Sequence, residues 1–155
     1  MSTPLVLLVE DDLNDVLFLK RAFKKAGLPY GLQAVSDGRE ALHYLSGAGS
    51  YADREKHPIP SHILLDLKLP EKSGFEVLEW VRNDPSLKDL PVSILTSSCE
   101  SADIHKAKLL RADCYFVKPM SFNGLLEVVG SLDEWIRTGR IPASSHWPAD
   151  APASR

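Results

Sequence analysis

Residues 63–74 read ILLDLKLPEKSG, and they indicate more about the fold than any other part of the chain. Three apolar residues run into Asp66, a proline follows at position 70, and Ser73 and Gly74 open a new helix. Such an apolar run is typical of a strand that is buried on both faces of a parallel sheet. A carboxylate at the end of a buried strand is costly unless it has a partner, so we expect Asp66 to belong to a functional site.

Apolar runs of the same kind alternate with helical periodicity along the rest of the chain. The runs predict five strands, at residues 5–9, 32–35, 62–66, 91–96 and 114–117. Apolar residues at three- and four-residue spacing predict five helices, at 13–26, 37–45, 73–84, 101–110 and 121–137. This (βα)5 order predicts a doubly wound α/β fold of the flavodoxin-like type, with a five-stranded parallel sheet in the order 2-1-3-4-5.

Two segments fall outside this alternation. Residues 46–61 contain two glycines and two prolines and predict a long connection, which is either functional or a tolerated surface insertion. Residues 139–155 are rich in proline, alanine and serine, so we expect a largely disordered tail, with Trp147 as the one residue suited to docking. Residues 1–138 then form a single domain.

Composition narrows the class of protein. The net charge is −3 and no basic block is present, so nothing points to nucleic-acid binding. The N-terminus lacks the basic region of a signal peptide, and no apolar run reaches membrane-spanning length. We therefore expect a cytoplasmic protein with no membrane contact. Cys99 and Cys114 have no metal-binding spacing, and two reduced thiols are the simpler interpretation.

Polar groups stand at the carboxyl ends of four predicted strands: Glu10 and Asp11, Asp66, Thr96, and Lys118. These ends meet at one edge of a parallel sheet, where doubly wound folds bind their ligands. Each group alone also fits a plain role, as a solvated residue before a helix, a strand-end hydroxyl or a surface charge. Three carboxylates together repel one another unless a cation intervenes, and Mg²⁺ with a phosphoryl oxygen suits such a set. The arrangement predicts phosphoryl transfer to a carboxylate.

Four motifs carry a family resemblance: Val9-Glu10-Asp11-Asp12, Asp66-x-x-x-Pro70-x-x-x-Gly74, Leu95-Thr96-Ser97 and Val117-Lys118-Pro119. In this order and spacing they resemble the receiver domain of two-component response regulators, over residues 5–137. The resemblance implies that Asp66 accepts a phosphoryl group from a histidine kinase. It also implies that Thr96 and Lys118 contact the phosphoryl oxygens.

A magnesium site is a further implication of the resemblance. Asp11, Asp66 and the main-chain carbonyl of Lys68 would bind Mg²⁺ directly, and Glu10 would bind it through water. The side chains of Lys68 and Ser98 occupy positions that in receivers tune how readily water reaches the acyl phosphate.

The resemblance extends to a conformational switch and to two backbone features. Tyr115 matches the aromatic residue that turns inward as Thr96 moves toward the phosphate. The bond between Lys118 and Pro119 is expected to be cis, as is typical of receivers. Arg111 stands where receivers usually end their fourth helix with glycine, so a left-handed residue is not expected there.

The kind of receiver is indicated by length and by two local features. Only 18 residues follow the predicted last helix, too few for an output domain, so we expect a single-domain regulator. The long connection before the third strand and the sequence Asp113-Cys114-Tyr115 resemble the small regulators that are paired with bacterial phytochromes. The expected partner is therefore a sensor histidine kinase, such as a bacteriophytochrome.

The last predicted helix carries apolar residues over about half of its circumference. Val128 and Trp135 flank the core stripe and predict a second stripe. A homodimer through the fourth helix, fifth strand and fifth helix would bury this second stripe. The alternative is a broadly buried helix in which Trp135 covers the core.

Three other functions fit parts of the pattern. A phosphatase of the haloacid dehalogenase type phosphorylates a strand-end aspartate, but it needs a second aspartate where Lys68 stands. A nucleotide or flavin binder would need more than Gly47-Ala48-Gly49, which lacks the third glycine of a dinucleotide fingerprint. A pseudo-receiver, which binds partners without phosphorylation, is disfavoured by the intact set of polar groups. We expect a signalling protein and not an enzyme, with only self-catalysed phosphotransfer and dephosphorylation.

Overall fold

A computed structural model describes residues 4–141 and 147–148 of the chain. Its strands are β1 (Leu5–Val9), β2 (Gly31–Val35), β3 (His62–Leu65), β4 (Val92–Thr96) and β5 (Cys114–Val117). Its helices are α1 (Leu13–Lys25), α2 (Gly38–Ser46), α3 (Gly74–Asn83), α4 (Ser101–Leu109) and α5 (Phe122–Thr138), and a short 3-10 helix spans Gly49–Tyr51. Every predicted strand and helix is present, with bounds that differ from the prediction by a single residue at most.

The five strands form one parallel sheet in the predicted order, β2-β1-β3-β4-β5. β1 and β3 pair with Val9 opposite Leu65, and β4 and β5 pair with Thr96 opposite Val117. Because all strands point the same way, the residues that directly follow them lie side by side at one edge of the sheet. This register positions the candidate site.

Helices cover both faces of the sheet. Leu7 and Val9 of β1 pack in one core cluster, and the alternating residues Val6 and Leu8 pack in the other. Residues of α2, α3 and α4 complete the first cluster, and residues of α1 and α5 complete the second. Both faces are therefore apolar, which explains why the strands read as continuous apolar runs.

Side chains just before four of the helices cap their free N–H groups: Asp12, Asp37, Ser73 and Ser121. Ser73 forms a full capping box with Glu76, in which the Ser73 N–H donates to Glu76 Oε2 at 2.8 Å and the Glu76 N–H donates to Ser73 Oγ at 3.3 Å. The box sets the start of α3, directly after the loop that carries Asp66.

The structure buries the two residues that we expected to form a second stripe on α5. Val128 and Trp135 are only 9% and 6% exposed, and both belong to the second core cluster. The Trp135 ring packs edge-on against the ring of His62, with 5.1 Å between centroids. The alternative of a broadly buried helix is therefore the correct one, because β3 and α5 approach closely enough for the indole to pack between them.

The long connection after α2 is tied to the domain by side chains. Arg54 Nη1 donates to the carbonyls of Tyr44 and His57 at 2.8 and 3.1 Å, and its Nη2 donates to the carbonyl of Leu45 at 2.8 Å. The Tyr44 hydroxyl donates to the carbonyl of Pro58 at 2.8 Å. Arg54 thus binds carbonyls in the last turn of α2, of which that of Tyr44 also accepts from the Gly47 N–H at 3.2 Å, so the connection stabilises that helix terminus.

The corner between α4 and β5 differs from our expectation. Arg111 has a φ of +67°, a left-handed conformation that costs a residue with a Cβ about 1–2 kcal/mol. The Arg82 guanidinium offsets this cost by donating to the Arg111 carbonyl through Nε at 3.1 Å and Nη2 at 2.9 Å. The left-handed turn therefore forms without glycine because a buried arginine holds its carbonyl.

Other expectations concern the backbone and the tail. No peptide bond among the described residues is cis, so the expected cis bond before Pro119 is absent, in line with the usual trans preference of about 0.5–1 kcal/mol.

Within the described parts of the chain, no helix has the length and apolar character that a membrane crossing requires. Most of the expected disordered tail, 142–146 and 149–155, lies outside the described residues. Trp147 is described and packs against the first core cluster.

Candidate functional site

The candidate site lies at the sheet edge where β1, β3, β4 and β5 end. Main-chain bonds continue the sheet one residue beyond the strands: the Asp66 N–H donates to the Val9 carbonyl at 3.0 Å, and the Lys118 N–H donates to the Thr96 carbonyl at 2.7 Å. These bonds place the side chains of Asp66 and Lys118 at the same edge as Glu10, as the sequence predicted.

The ammonium group of Lys118 joins three carboxylates. Its Nζ lies 2.6 Å from Glu10 Oε1, 2.8 Å from Asp15 Oδ2 and 2.9 Å from Asp66 Oδ2. Burial alone would lower the pKa of Lys118, but the hydrogen bonds to Asp15, Asp66 and Glu10 raise it above its ordinary value. Lys118 therefore stays protonated and supplies the positive charge at the centre of the site.

Glu10 is the most deeply buried of these carboxylates. Burial raises the pKa of Glu10 to about 7, although the bonds from Lys118 and from the Asp12 N–H act in the opposite direction. The Asp12 N–H donates to Glu10 Oε2 at 3.0 Å. The neighbouring charge of Asp66 adds to the rise. At Glu10 the effect of burial on the pKa thus outweighs the effect of the neighbouring ammonium.

An acidic cluster of Glu10, Asp11 and Asp66 is suited to a divalent cation. One carboxylate oxygen from each of the three lies within 4.8 Å of the others, two of the side chains are buried and Asp11 is exposed. A set of oxygen donors with an open side is what Mg²⁺ favours, because it keeps several waters. Lys68 comes two residues after Asp66 in the sequence, and its main-chain N–H donates to Asp66 Oδ1 at 3.3 Å.

Asp15 is a site residue that sequence reasoning missed. It lies in the first turn of α1, where an acidic residue is usually explained by the helix dipole. Its distance from Lys118 in sequence is 103 residues, so only the packing of α1 against the sheet brings the two together. The pattern of the chain contains no signal that separates Asp15 from an ordinary first-turn acid.

Thr96, Ser98 and Tyr115 form a chain of contacts that leads away from Asp66. The Ser98 N–H donates to Thr96 Oγ1 at 3.4 Å, and the Tyr115 hydroxyl donates to the Ser98 carbonyl at 2.9 Å. Ser98 Oγ donates to Asp103 Oδ2 at 2.6 Å and so reaches α4. Burial raises the pKa of Tyr115 to about 12, and its ring lies 5.7 Å from that of Trp147.

Gly74 permits the close approach of α3 to the loop that carries Asp66. A Cβ at this position would lie 2.2 Å from the Asp66 carbonyl oxygen and 2.7 Å from the Leu67 Cα. Glycine is required because no side chain fits between these main-chain segments. Within the same loop, Glu71 has a φ of +67°.

The match to a family model agrees with this geometry. Residues 6–130 match the response regulator receiver domain, which covers the sheet, the acidic cluster and Lys118. The chain belongs to the response regulator receiver family. It is thus a receiver-domain response regulator, a signalling protein of the two-component systems, and aspartate phosphorylation is typical of this family.

The response regulator Rcp1 of Synechocystis sp. is similar to this chain in sequence and in structure. It is 34% identical over 140 residues, which cover 90% of this chain and 93% of Rcp1. The Mn²⁺-bound form of Rcp1 superposes with a TM-score of 0.79 at 35% identity, covering 90% of this chain and 99% of that one.

Two further solved structures are similar. The phosphorylated cyanobacterial phytochrome response regulator RcpA has a TM-score of 0.82 at 34% identity, covering 90% of this chain and 97% of that one. RPA3017, a response regulator in red light signalling of R. palustris, has a TM-score of 0.83 at 33% identity, covering 90% and 99%. The family membership implies a sensor kinase as the partner. It also argues against the two other classes considered from the sequence, the phosphatase and the nucleotide or flavin binder.

Proposed function

We propose that Asp66 accepts a phosphoryl group from a sensor histidine kinase. The observation that supports this most directly is the 2.9 Å contact between Asp66 Oδ2 and Lys118 Nζ within a cluster of carboxylates. A phosphoryl group adds negative charge at this point, and the ammonium moves its contact from the carboxylate to a phosphoryl oxygen. Thr96 at the end of β4 provides a hydroxyl for another of these oxygens.

In the proposed step, a carboxylate oxygen of Asp66 attacks the phosphorus atom of a phosphohistidine. An O–P bond forms as the P–N bond breaks, and the ring nitrogen of the histidine keeps the electron pair. The product is an acyl phosphate on Asp66. Because Asp66 reacts as the anion, the site needs no base, and its contribution is positioning and charge neutralisation.

The acidic cluster would hold Mg²⁺ for this reaction. Asp11, Asp66 and the main-chain carbonyl of Lys68 would bind it directly and Glu10 through water, an all-oxygen set of the kind that Mg²⁺ prefers. A bound Mg²⁺ would supply a second positive charge for the phosphoryl oxygens. The Mn²⁺-bound form of the similar protein Rcp1 supports a divalent cation here.

The contacts of Ser98 would transmit phosphorylation to the surface. A shift of Thr96 toward the phosphoryl group would disturb its 3.4 Å bond from the Ser98 N–H. Ser98 in turn holds the Tyr115 hydroxyl and Asp103 of α4. Tyr115 and α4 would therefore change together.

A phytochrome-type sensor kinase is the proposed partner. Support comes from the similarity to RcpA, a cyanobacterial phytochrome response regulator, and to RPA3017, a response regulator in red light signalling, each of which aligns with 90% of this chain. Phosphotransfer from the sensor kinases of the host, each tested for its rate, would measure this directly. A faster transfer from another class of kinase would reject the phytochrome assignment.

We also propose a homodimer through α4, β5 and α5. Val128 and Trp135 are buried in the protomer, so they do not provide the contact surface. Leu109 on α4 is 68% exposed and provides a better test. If the face pairs, Leu109→Glu gives a folded monomer by light scattering, whereas a wild-type protein that is monomeric at micromolar concentration would reject the dimer.

Chemical phosphorylation tests the proposed role of Asp66. Purified protein with Mg²⁺ and a small phosphodonor such as acetyl phosphate should gain one acid-labile phosphate, which intact-mass measurement detects. Asp66→Asn should gain none, because an amide oxygen is a poor nucleophile. Asp89→Asn, at an exposed aspartate, is the matched control and should be phosphorylated like wild type. Wild-type protein that stays unmodified would favour the pseudo-receiver.

A further inference from the structure

We infer that Asp15 is a positioning residue that holds the Lys118 ammonium at the phosphoacceptor from the side of α1. The inference rests on the proposed role of Asp66, because it concerns how Lys118 is kept in place when that residue changes charge. It assigns to the first turn of α1 a role in phosphotransfer that helix stability alone does not explain.

The geometry of Lys118 supports a separate role for Asp15. An ammonium has three donors, and the contacts at 2.6, 2.8 and 2.9 Å use one carboxylate for each. Glu10 and Asp66 reach Nζ from the ends of β1 and β3, whereas Asp15 reaches it from a helix. Without Asp15, Lys118 Nζ would contact only Glu10 and Asp66, which both follow strands.

The three partners of Lys118 differ in what else they must do. Asp66 would lose its free carboxylate on phosphorylation, and Glu10 belongs to the acidic cluster with Asp11. Asp15 lies outside that cluster, and its side chain is 34% exposed against 4% for Glu10 and 7% for Asp66. Asp15 is therefore the partner that Lys118 can keep throughout the reaction.

Asp15 is itself held firmly enough to act as a fixed support. The Asp12 side chain caps α1 by accepting from the N–H groups of Asn14 and Asp15 at 2.8 and 3.3 Å. The next residues of the helix, Val16 and Leu19, are buried against the sheet. The turn that carries Asp15 is therefore fixed by its cap at the start of the helix and by the burial of the helix face beside it.

Asp15 also lines a cavity beside Lys118. Asp15 and Lys118 line an open cavity of about 280 Å³ between α1 and the start of α5, whose other walls include Phe18, Leu95 and Phe122. A carboxylate here has two opposing effects, since it orients the ammonium but also repels an anionic donor. Substitutions can separate these effects, because asparagine keeps the acceptor oxygen and removes the charge.

Phosphorylation rates distinguish positioning from repulsion. With acetyl phosphate at saturating Mg²⁺, Asp15→Ala should be phosphorylated about tenfold more slowly than wild type, as expected for loss of one charge-assisted hydrogen bond. Asp15→Asn should recover at least about half of the wild-type rate, since its amide oxygen still accepts from Nζ. Asn14→Ala, at an exposed position in the same turn, is the control for α1 stability.

The rate outcomes each decide the inference. An Asp15→Ala rate equal to wild type overturns it, as does an Asp15→Asn rate that exceeds wild type, because the charge of Asp15 would then act by repulsion. A loss of rate in Asn14→Ala as large as that in Asp15→Ala also overturns it, since the helix turn and not the carboxylate would be responsible.

A spectroscopic readout is independent of phosphorylation. Lysine ammonium groups that are firmly hydrogen-bonded exchange protons slowly and give a ¹⁵N-detected signal, which Lys118→Arg assigns by its disappearance. The signal should be lost in Asp15→Ala and kept in Asp15→Asn. An Asp15→Ala signal identical to wild type overturns the positioning role. If wild type accepts no phosphate but the signal depends on Asp15, the proposed function fails while the hold on Lys118 stands.

Discussion

The Tyr115 hydroxyl donates a 2.9 Å hydrogen bond to the carbonyl oxygen of Ser98, two residues beyond Thr96. The Tyr115 ring is fully buried, so the aromatic residue of the proposed switch is already turned inward. Ser98 also holds Asp103 through its hydroxyl, which ties the tyrosine to the first turn of α4. The inward position is therefore stabilised by specific bonds and by packing.

The tyrosines predict an unusual alkaline titration, since Tyr44 and Tyr115 are buried and Tyr30 and Tyr51 are half-buried. Burial is the largest cause that raises the pKa of Tyr115, Tyr30 and Tyr51 to about 12, and it also raises the pKa of Tyr44. Near-ultraviolet absorbance of the folded protein should show little tyrosinate at pH 10.5, roughly where half or more of the tyrosines of an unfolded chain ionise. A phenolate fraction equal to that of the urea-unfolded chain would contradict this.

Stability should fall as pH rises in the same range. Phenols whose pKa is raised on folding keep their protons in the native state while the unfolded chain loses them. Their contribution is complete below about pH 10 and is lost as pH rises toward about 12. Urea unfolding midpoints measured at several pH values from about 9 upward test this prediction. The midpoint should fall as the pH rises through this range.

His62 predicts a separate acid-side loss of stability. Burial lowers the pKa of His62 from its ordinary 6.5 to about 4, so the native state keeps the ring neutral. Its contribution is complete above pH 6.5 and is lost as pH falls toward 4. At about 1.4 kcal/mol per pH unit, the loss is on the order of 3 kcal/mol.

The variant His62→Phe should reduce that pH dependence, because phenylalanine keeps the contact with Trp135 and has no proton to gain. His43→Gln, at an exposed histidine near the end of α2, should leave the dependence as in wild type. Urea unfolding at several pH values measures both. A slope that His62→Phe leaves unchanged would show that other groups cause it.

Arg82 should contribute far more to the free energy of unfolding than an arginine on the surface. It is buried, and its guanidinium contacts Asp113 at 3.0 Å and the carbonyls of Arg111, Lys88 and Leu90. Arg82→Ala should lower the free energy of unfolding by about 3–5 kcal/mol, because it leaves several buried acceptors unpaired. If that variant does not fold, Arg82→Lys gives a smaller loss from the missing planar fork.

Arg137 is the matched control for Arg82. It also contacts an aspartate, Asp133, at 3.0 Å, but its side chain is 60% exposed. Arg137→Ala should cost no more than about 1 kcal/mol. Equal losses for the two arginines in urea unfolding would contradict the assignment of Arg82 as the residue that holds the α4–β5 corner.

Two glycines predict opposite effects of the same substitution. A Cβ at Gly74 would lie 2.2 Å from the Asp66 carbonyl, so Gly74→Ala should lower the free energy of unfolding by about 1–3 kcal/mol and slow phosphorylation. A Cβ at Gly130, within α5, would meet nothing within 4 Å beyond its chain neighbours and the backbone of its own helix, so Gly130→Ala should stabilise by about 0.5–1 kcal/mol. Effects of the same sign would show that the packing around one of the glycines is misassigned.

The sequence predicted the strands, the helices and the strand-end site because each depends on local pattern. Buried parallel strands are continuous apolar runs, and parallel geometry brings Glu10, Asp66 and Lys118 to one edge without further information.

What the sequence did not predict depends on contacts between distant elements. Asp15 joins Lys118 only after α1 packs on the sheet. Arg111 adopts a left-handed conformation because Arg82, one helix earlier, bonds to its carbonyl. Trp135 has the spacing of an exposed stripe, yet His62 at the start of β3 covers it. The spacing of apolar residues along a helix shows which face is apolar, but it does not show how much of that face a neighbouring element covers.

The contact of Trp147 with Tyr115 gives the protein a built-in optical reporter. The two rings lie 5.7 Å apart with 31° between their planes, and the Lys108 ammonium lies 5.5 Å from the indole. Tyrosine excitation passes efficiently to an indole at such a separation, and a nearby ammonium shifts indole emission. A movement of Tyr115 would therefore be visible as a change in intrinsic fluorescence, with no added dye and no label.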